Sequence, residues 1–319
     1  MTASDRFSLL RCPSSGQPLH HEGNFLVAGD GARYPIIAGI PILLPKSVAP
    51  THQGYQAILA QNSTIAEHGT PFGDADAARF FAGMLVATCG NLFHRVELAG
   101  DYPIPTFPEL PKDGPLLDIG CSWGRWSIAA ARAGHRVVAC DIHLQALLCA
   151  QWLARKLVPG SEPLFVLADA RHLPFGAEAF SAAFSYSVIQ HFSRANAELA
   201  LGQIAKVLRR RAPACIQMPN RNGLSAMLRK TRARDTEGAE FDVRYYTIDE
   251  LLKLFRRVIG PATWRTDCFL GLNVHLADWR FVPVSKRPLL LLDAALLAVS
   301  RAVPPIARLA DSVFITATK

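Results

Sequence analysis

The sequence predicts an α/β protein: a doubly wound, mostly parallel seven-stranded sheet with a small β module ahead of it. Three observations carry this. After Gly114, seven short apolar or β-rich runs appear, most of them separated by segments with apolar residues at helical spacing. The first run leads into a glycine-bearing turn, Gly120-Cys121-Ser122-Trp123-Gly124. An aspartate stands at or near the end of each of the first three runs: Asp118, Asp141 and Asp169.

Taken in chain order, residues 1–45 read as a small β module. "FLVAGDGARYPIIAGIPILLP" is a hairpin with Gly29-Asp30-Gly31 as its turn, continuing into a Pro-punctuated extended stretch. Residues 46–112 read as a connector, helical and then extended. "DADAARFFAGMLVATCGNLF" has helical spacing and aspartates at its start, which favour a helix N-terminus. "YPIPTFPELP" is too rich in proline for regular helix and reads as a strap.

Residues 113–319 form the main domain. Its runs are "PLLDI", "RVVACD", "PLFVLAD", "AFSAAFSYS", "APACIQMPN", "TWRTDCFL" and "SVFITATK". Between them, "GRWSIAAARAG" is helical with Gly134 as a C-cap, and "LQALLCAQWLARKL" is helical. Ser193 opens "RANAELALGQIAKVLR", and "TIDELLKLFRRV" carries a capping box from Thr247 to Glu250. An insertion spans about residues 270–310. Its "LLLLDAALLAVS" is too short for a membrane span and contains Asp293. A buried or amphipathic helix is expected there, with weak membrane-surface contact as the alternative.

Bulk composition narrows the class. Half of the 319 residues are hydrophobic and 19% are charged, so the chain can bury a sizeable core. Its net charge is +8, which favours anionic partners. From Lys206 to Arg234 there are nine Lys or Arg and no acid. That stretch reads as a solvated helix face with a loop, or as a site for an anion, nucleic acid or lipid headgroup. Seven scattered cysteines without a C-x-x-C pair speak for reduced thiols. No secretory pattern opens the chain, so a cytoplasmic location is expected.

The turn at 120–124 spells G-x-S-x-G, which would make Ser122 the nucleophile of a hydrolase, with Asp249 and His275 as partners. Yet a nucleophile elbow follows an interior strand late in its sheet. Ser122 follows the first, and the reading leaves three aspartates without a role. A nicotinamide dehydrogenase would need G-x-G-x-x-G, which "GCSWGRW" does not supply. Asp141 falls 17 residues after Gly124, near the roughly 20 expected of a ribose-gripping carboxylate. Each aspartate alone can be a mere loop-ordering group; three in series behind a glycine turn point to a nucleotide-like ligand.

The series Asp118-x-Gly120-x-Ser122-x-Gly124, then Asp141-Ile142, Asp169-Ala170 and Ser185-Tyr186, resembles the class I S-adenosylmethionine-dependent methyltransferases of Rossmann-like fold. The resemblance covers about residues 114–260. It implies S-adenosylmethionine as cofactor, with Gly120, Cys121 and Gly124 in the loop at its methionine part. Asp118 would order that loop and face the sulfonium. Asp141 would bind the ribose, Ile142 the adenine face, Asp169 the adenine amino group beside Ala170, and Ser185 would lie near the methyl. Ser122 stands where the family has glycine. "YPIIAGIPILLP" is similar to a small zinc-ribbon-like module, but Cys12 begins "CPSS", Ser15 replaces a ligand, and no Cys follows before Cys89. His20 and His21 are adjacent and would point to opposite faces of a strand, so no metal is expected.

Methyl transfer mainly needs alignment and desolvation. His191 is the candidate base where the acceptor must lose a proton; the alternative is a backbone-ordering role. Tyr186, Arg244, Tyr245 and Tyr246 are candidate substrate contacts, Arg244 for an anionic group. The expected acceptor is a small or lipid-like molecule. RNA is the second reading, and a non-catalytic S-adenosylmethionine-binding protein the third. Oligomeric state is not legible.

Overall fold

The computed structural model describes residues 7–45, 53–68, 73–88, 102–225, 243–271 and 276–319. The expectations that touch Cys89, residues 226–242 and His275 lie outside these residues. The four N-terminal strands are β1 (Leu19–Glu22), β2 (Phe25–Ala28), β3 (Arg33–Ile37) and β4 (Ile40–Pro41). The connector holds helices α1 (Gln53–His68) and α2 (Asp74–Thr88). The main sheet has β5 (Pro115–Ile119), β6 (Arg136–Asp141), β7 (Leu164–Leu167), β8 (Ala182–Ser185), β9 (Pro213–Pro219), β10 (Ala262–Cys268) and β11 (Ser312–Thr318). Its helices are α3 (Arg125–Arg132), α4 (Leu144–Leu157), α5 (Arg194–Val207) and α6 (Ile248–Val258), with α7 (Arg287–Ala302) and α8 (Pro304–Ala307) in the C-terminal insertion.

The seven strands lie in the order β10-β11-β9-β8-β5-β6-β7. β5 to β9 are mutually parallel, and β11 runs antiparallel to both β9 and β10. β5, β7 and β8 are buried at every residue, which is why their sequences are apolar except for Asp118 and Ser185 near the ends of β5 and β8. Local signals set the helix ends. Ser193 Oγ accepts the Asn196 N–H at 3.2 Å. The capping box closes with Glu250 Oε2 accepting the Thr247 N–H at 2.7 Å and Thr247 Oγ1 accepting the Glu250 N–H at 3.2 Å. Gly134, φ +88°, ends the turn after α3.

The N-terminal strands form the antiparallel sheet β1-β2-β3-β4, with the expected turn between β2 and β3. The Arg11 N–H donates to the Pro174 carbonyl at 2.8 Å, and the Leu43 N–H to the Leu167 carbonyl at 2.8 Å. Leu10, Leu26 and Leu43 share a core with Leu117, Val138 and Ile216. This module is therefore packed onto the β7 edge of the main sheet. Cys12 Sγ lies 3.1 Å from Tyr34 Oη, and burial with this contact pushes Tyr34 up to about 12. Among the described residues, no group of three His, Cys, Asp or Glu is arranged to hold a metal.

The connector packs on the main domain. Phe81 of α2 stands edge-on to Trp123 at 4.9 Å and to Tyr102 at 5.2 Å. Phe107 of the extended strap packs against Trp126 and Phe184, which also touch each other. None of the six described cysteines is in a disulfide, and all are buried. No described helix is long and apolar enough to cross a membrane. The expected helix near 289–300 exists as α7: Leu290, Asp293 and Ser300 are buried and Leu296 and Leu297 pack on the core, while Leu289, Leu291 and Leu292 are exposed.

Candidate functional site

From β5 the chain winds outward through β6 and β7 on one side and through β8 and β9 on the other. The reversal lies between β5 and β8, and ligands bind beyond the strand ends at such a point. A cavity of about 610 Å³ occupies that place, within the range of small-ligand pockets. Its wall comes from the 119–123 loop, Cys140–His143, Ala168–Ala170, Tyr186–Val188 and Gln190–Phe192, with Ile58 and Met84 from the connector and Val243 before α6.

The loop after β5 is shaped by three left-handed residues: Gly120 at φ +72°, Ser122 at +49° and Gly124 at +84°. A Cβ on Gly120 would lie 2.2 Å from Val188 Cγ2, so the loop after β8 closes directly over the glycine. Gly124 caps α3 and packs on α4, where its Cβ would meet Ala150 Cβ at 2.9 Å. It does not line the cavity. The left-handed backbone at Ser122 explains why glycine suits this position. Among the described residues, Ser122 Oγ is buried with no hydrogen-bond partner.

Asp141 has two jobs. Its Oδ2 accepts the Ser122 N–H at 2.9 Å, fixing the loop, and its Oδ1 accepts the His143 N–H at 3.0 Å. Each oxygen keeps acceptor capacity toward the cavity. Burial raises its pKa against the lowering by these two N–H groups. Asp118 lies beneath the loop, outside the cavity wall. Its Oδ2 pairs with Ser127 Oγ of α3 at 2.5 Å, and burial, reinforced by the charge of Asp141, pushes it up to about 7. Loop ordering is thus within its geometry; facing a sulfonium is not. Asp169 borders the cavity, but its carboxylate is gripped by Arg171: Nη2 meets Oδ2 at 2.7 Å and Nε meets Oδ1 at 3.0 Å. The spacing of the aspartates gave no hint of this buried pair.

Beyond β8, Ser185 is turned away, its Oγ donating to the Ile119 carbonyl at 2.9 Å. Tyr186 lines the cavity. Its Oη donates to Asp267 Oδ2 at 2.9 Å, and Ser312 Oγ donates to the same oxygen at 2.7 Å. Burial, with the Asp267 charge, holds the Tyr186 phenol well above its usual value, so it stays protonated. The Trp126 ring lies 4.7 Å away. His191 reaches the wall, with Gln190 Nε2 donating to its Nε2 at 3.2 Å.

Three expected substrate contacts are elsewhere. Arg244 is buried and holds the loop after β8, its Nη1 donating to the His191 carbonyl at 2.8 Å and its N–H to the Gln190 carbonyl at 2.8 Å. A guanidinium spent on the backbone is not set to bind an anionic acceptor. Tyr245 and Tyr246 do not line the cavity, and Tyr246 is buried under the Arg194 guanidinium. The basic residues Lys206 and Arg209–Arg211 precede β9, at the sheet edge opposite the cavity, and so do not frame its mouth. Arg221, on the cavity side, donates to the Tyr245 carbonyl at 3.0 Å.

Other residues of the site had no sequence signal. Asn62 of α1 donates to the Ile142 carbonyl at 2.8 Å and accepts the Leu144 N–H at 3.0 Å, so the connector caps α4 and clamps the cavity rim. Arg125 lines the cavity and joins two distant segments. Its Nε donates to the Pro103 carbonyl at 2.8 Å, and its Nη2 meets Asp278 Oδ2 at 3.0 Å. Only folding brings residues this far apart in the chain together.

Residues 116–211 match the family described as "Methyltransferase domain". No curated protein matches the chain in sequence. Among solved structures, the chain is similar to a S-adenosylmethionine-dependent methyltransferase from Methanosarcina mazei, at 19% identity and a TM-score of 0.47 over 66% of this chain and 94% of that one. It is also similar to magnesium protoporphyrin IX methyltransferase from Synechocystis with bound S-adenosylhomocysteine, at 16% identity and a TM-score of 0.44 over 83% and 96%. A third is a Thermotoga maritima protein described as a possible histamine N-methyltransferase, at 12% identity and a TM-score of 0.44 over 83% and 98%.

Proposed function

We propose that this chain, a S-adenosylmethionine-dependent methyltransferase by its domain, methylates a small-molecule or lipid-like acceptor held against Trp126, Tyr186 and Phe192. The supporting observation is the wall beyond the glycine loop. It is largely aromatic and aliphatic, and its polar groups Tyr186, Arg125 and Ser187 are engaged by protein partners, with His191 beside them. Such a surface favours an acceptor with an apolar body.

The donor set suits the cofactor. Gly120 gives the loop a left-handed turn with Val188 closed on it, Ser122 Oγ is an unsatisfied group on the loop, and Asp141 is a pinned carboxylate. When bound, S-adenosylmethionine supplies a methyl group on a positively charged sulfur that leaves readily. In this reading Asp141 takes the ribose hydroxyls, Ile142 and Ala146 cover one adenine face, and Asp169 with Ala170 stand at the adenine edge. Cys121 and Gly120 border the methionine part. Trp126 and Tyr186 exclude water and align the acceptor. His191 takes up a proton where the acceptor loses one.

Calorimetry tests the cofactor site. The native protein should bind S-adenosylmethionine, and Asp141→Ala should weaken it on the order of 100-fold, from loss of charge-assisted hydrogen bonds of about 1.5–3 kcal/mol each. No binding by the native protein refutes the assignment. For the acceptor, labelled cofactor with a cell extract should mark low-mass or organic-soluble material. Label confined to RNA would replace this reading with the second one.

A further inference from the structure

β10 and β11 are joined by the C-terminal insertion. β10 runs parallel to β9, because both pair antiparallel with β11, so the insertion leaves β10 at the same sheet edge as the cavity. Arg125 and Asp278 fasten it to the cavity wall.

Between 276 and 303 the acids are Asp278 and Asp293, and both turn inward. Asp278 pairs with Arg125, and Asp293 Oδ1 accepts the Phe269 N–H at 2.6 Å. The bases are Arg280, Lys286, Arg287 and Arg301. Arg280 and Arg301 are exposed, and the other two are half-buried, with the Arg287 guanidinium over the Trp279 ring at 5.0 Å. α7 is apolar on both sides: Leu290, Leu296 and Leu297 pack on the core. Asp293 and Ser300 face the protein, while Leu291, Leu292, Ala295, Ala298, Val299 and Ala302, three and four apart, face outward. Leu291 is 52% exposed, Leu292 49%, and nearby Val284 74%. A helix merely solvated would carry polar residues there.

We propose that this face docks on a membrane surface bearing anionic lipid. Leucine and valine side chains would sit at the acyl boundary, with the exposed Arg280 and Arg301 at the level of the headgroup phosphates. Charge selects this occupant. Every exposed charge of the segment is positive, so pairing with a second copy through the same face would oppose like charges, whereas anionic headgroups neutralise them. Each base near such a surface strengthens binding about fivefold, and the two exposed ones together about thirtyfold. The proposal does not depend on the acceptor assigned above.

The test uses the full chain and sedimentation with vesicles of phosphatidylcholine, alone or mixed with phosphatidylglycerol. Binding to the mixed vesicles is expected to be at least tenfold tighter than to phosphatidylcholine alone and to weaken with salt. Leu291→Glu with Leu292→Glu should lower it at least tenfold, and Arg280→Glu with Arg301→Glu should remove most of the salt-sensitive part. Both variants change exposed positions and should keep the native circular dichroism and cofactor affinity. No binding to mixed vesicles, or equal binding by the leucine variant, overturns the proposal. So does light scattering that shows a native dimer made monomeric by the leucine changes, without vesicle binding.

Discussion

Asp278→Ala should cost more than its place in an insertion suggests. Asp278 and Arg125 are both buried, with side-chain exposures of 1% and 6%, and Nη2 meets Oδ2 at 3.0 Å. At an effective dielectric near 20, charges at this distance attract by about 5 kcal/mol. Desolvation of both groups offsets much of that, so the pair is a modest net stabiliser. Removing one partner is different, because the guanidinium stays buried without its counter-charge, at a cost of about 3–5 kcal/mol. The Pro103 carbonyl still accepts from Nε, which places the expectation at the lower end, near 3 kcal/mol. Urea unfolding of the single variant, and of Arg125→Met with Asp278→Leu, provides the assay. The double change removes both charges and should recover most of the loss. Because Arg125 lines the cavity, Asp278→Ala should also weaken S-adenosylmethionine by about tenfold in calorimetry. A single-variant cost under about 1 kcal/mol, or a double variant as unstable as the single, refutes the argument.

Ser122→Gly should raise stability by about 1 kcal/mol, by relieving a left-handed L-residue and a buried unpaired hydroxyl against the entropy of glycine; an unchanged melting temperature would contradict this. Gly120→Ala should push Val188 off the loop and lower stability by about 1–3 kcal/mol together with cofactor affinity; unchanged affinity would sink the link between this contact and the cofactor site. Asp118 binds a proton more tightly in the folded chain, so its own contribution to stability should be complete below about pH 4 and be lost as pH rises through about 7, by at most about 4 kcal/mol. Asp118→Asn should flatten that slope in urea titrations across pH. His191→Ala should lower kcat at least ~100-fold and remove a limb of the pH–rate profile if the acceptor loses a proton. A change in cofactor affinity alone would mark His191 as a loop residue.

The sequence by itself determined the seven strands, their order along the chain, and the helix caps at Gly134, Ser193 and Thr247. Strands buried on both faces are apolar along most of their length, and caps act on neighbours a few residues away, so both leave local marks. It also marked the loop at 120–124 and the aspartates at the strand ends, because backbone conformation and strand termini are local. Tertiary structure alone decided which of those residues reach the cavity. Asp141 and Tyr186 do, whereas Asp118, Gly124 and Ser185 hold the loop and sheet from behind, and Arg244 holds a carbonyl. A side chain's composition does not reveal its partner when the two are far apart in the chain. The Arg125–Asp278 pair and the Asn62 clamp are cases of this. The choice of which apolar face of α7 meets the protein has the same origin. Its leucines fit a buried or an exposed face equally well in sequence, and the inward anchoring of Asp293 by the Phe269 N–H decides which side meets the protein.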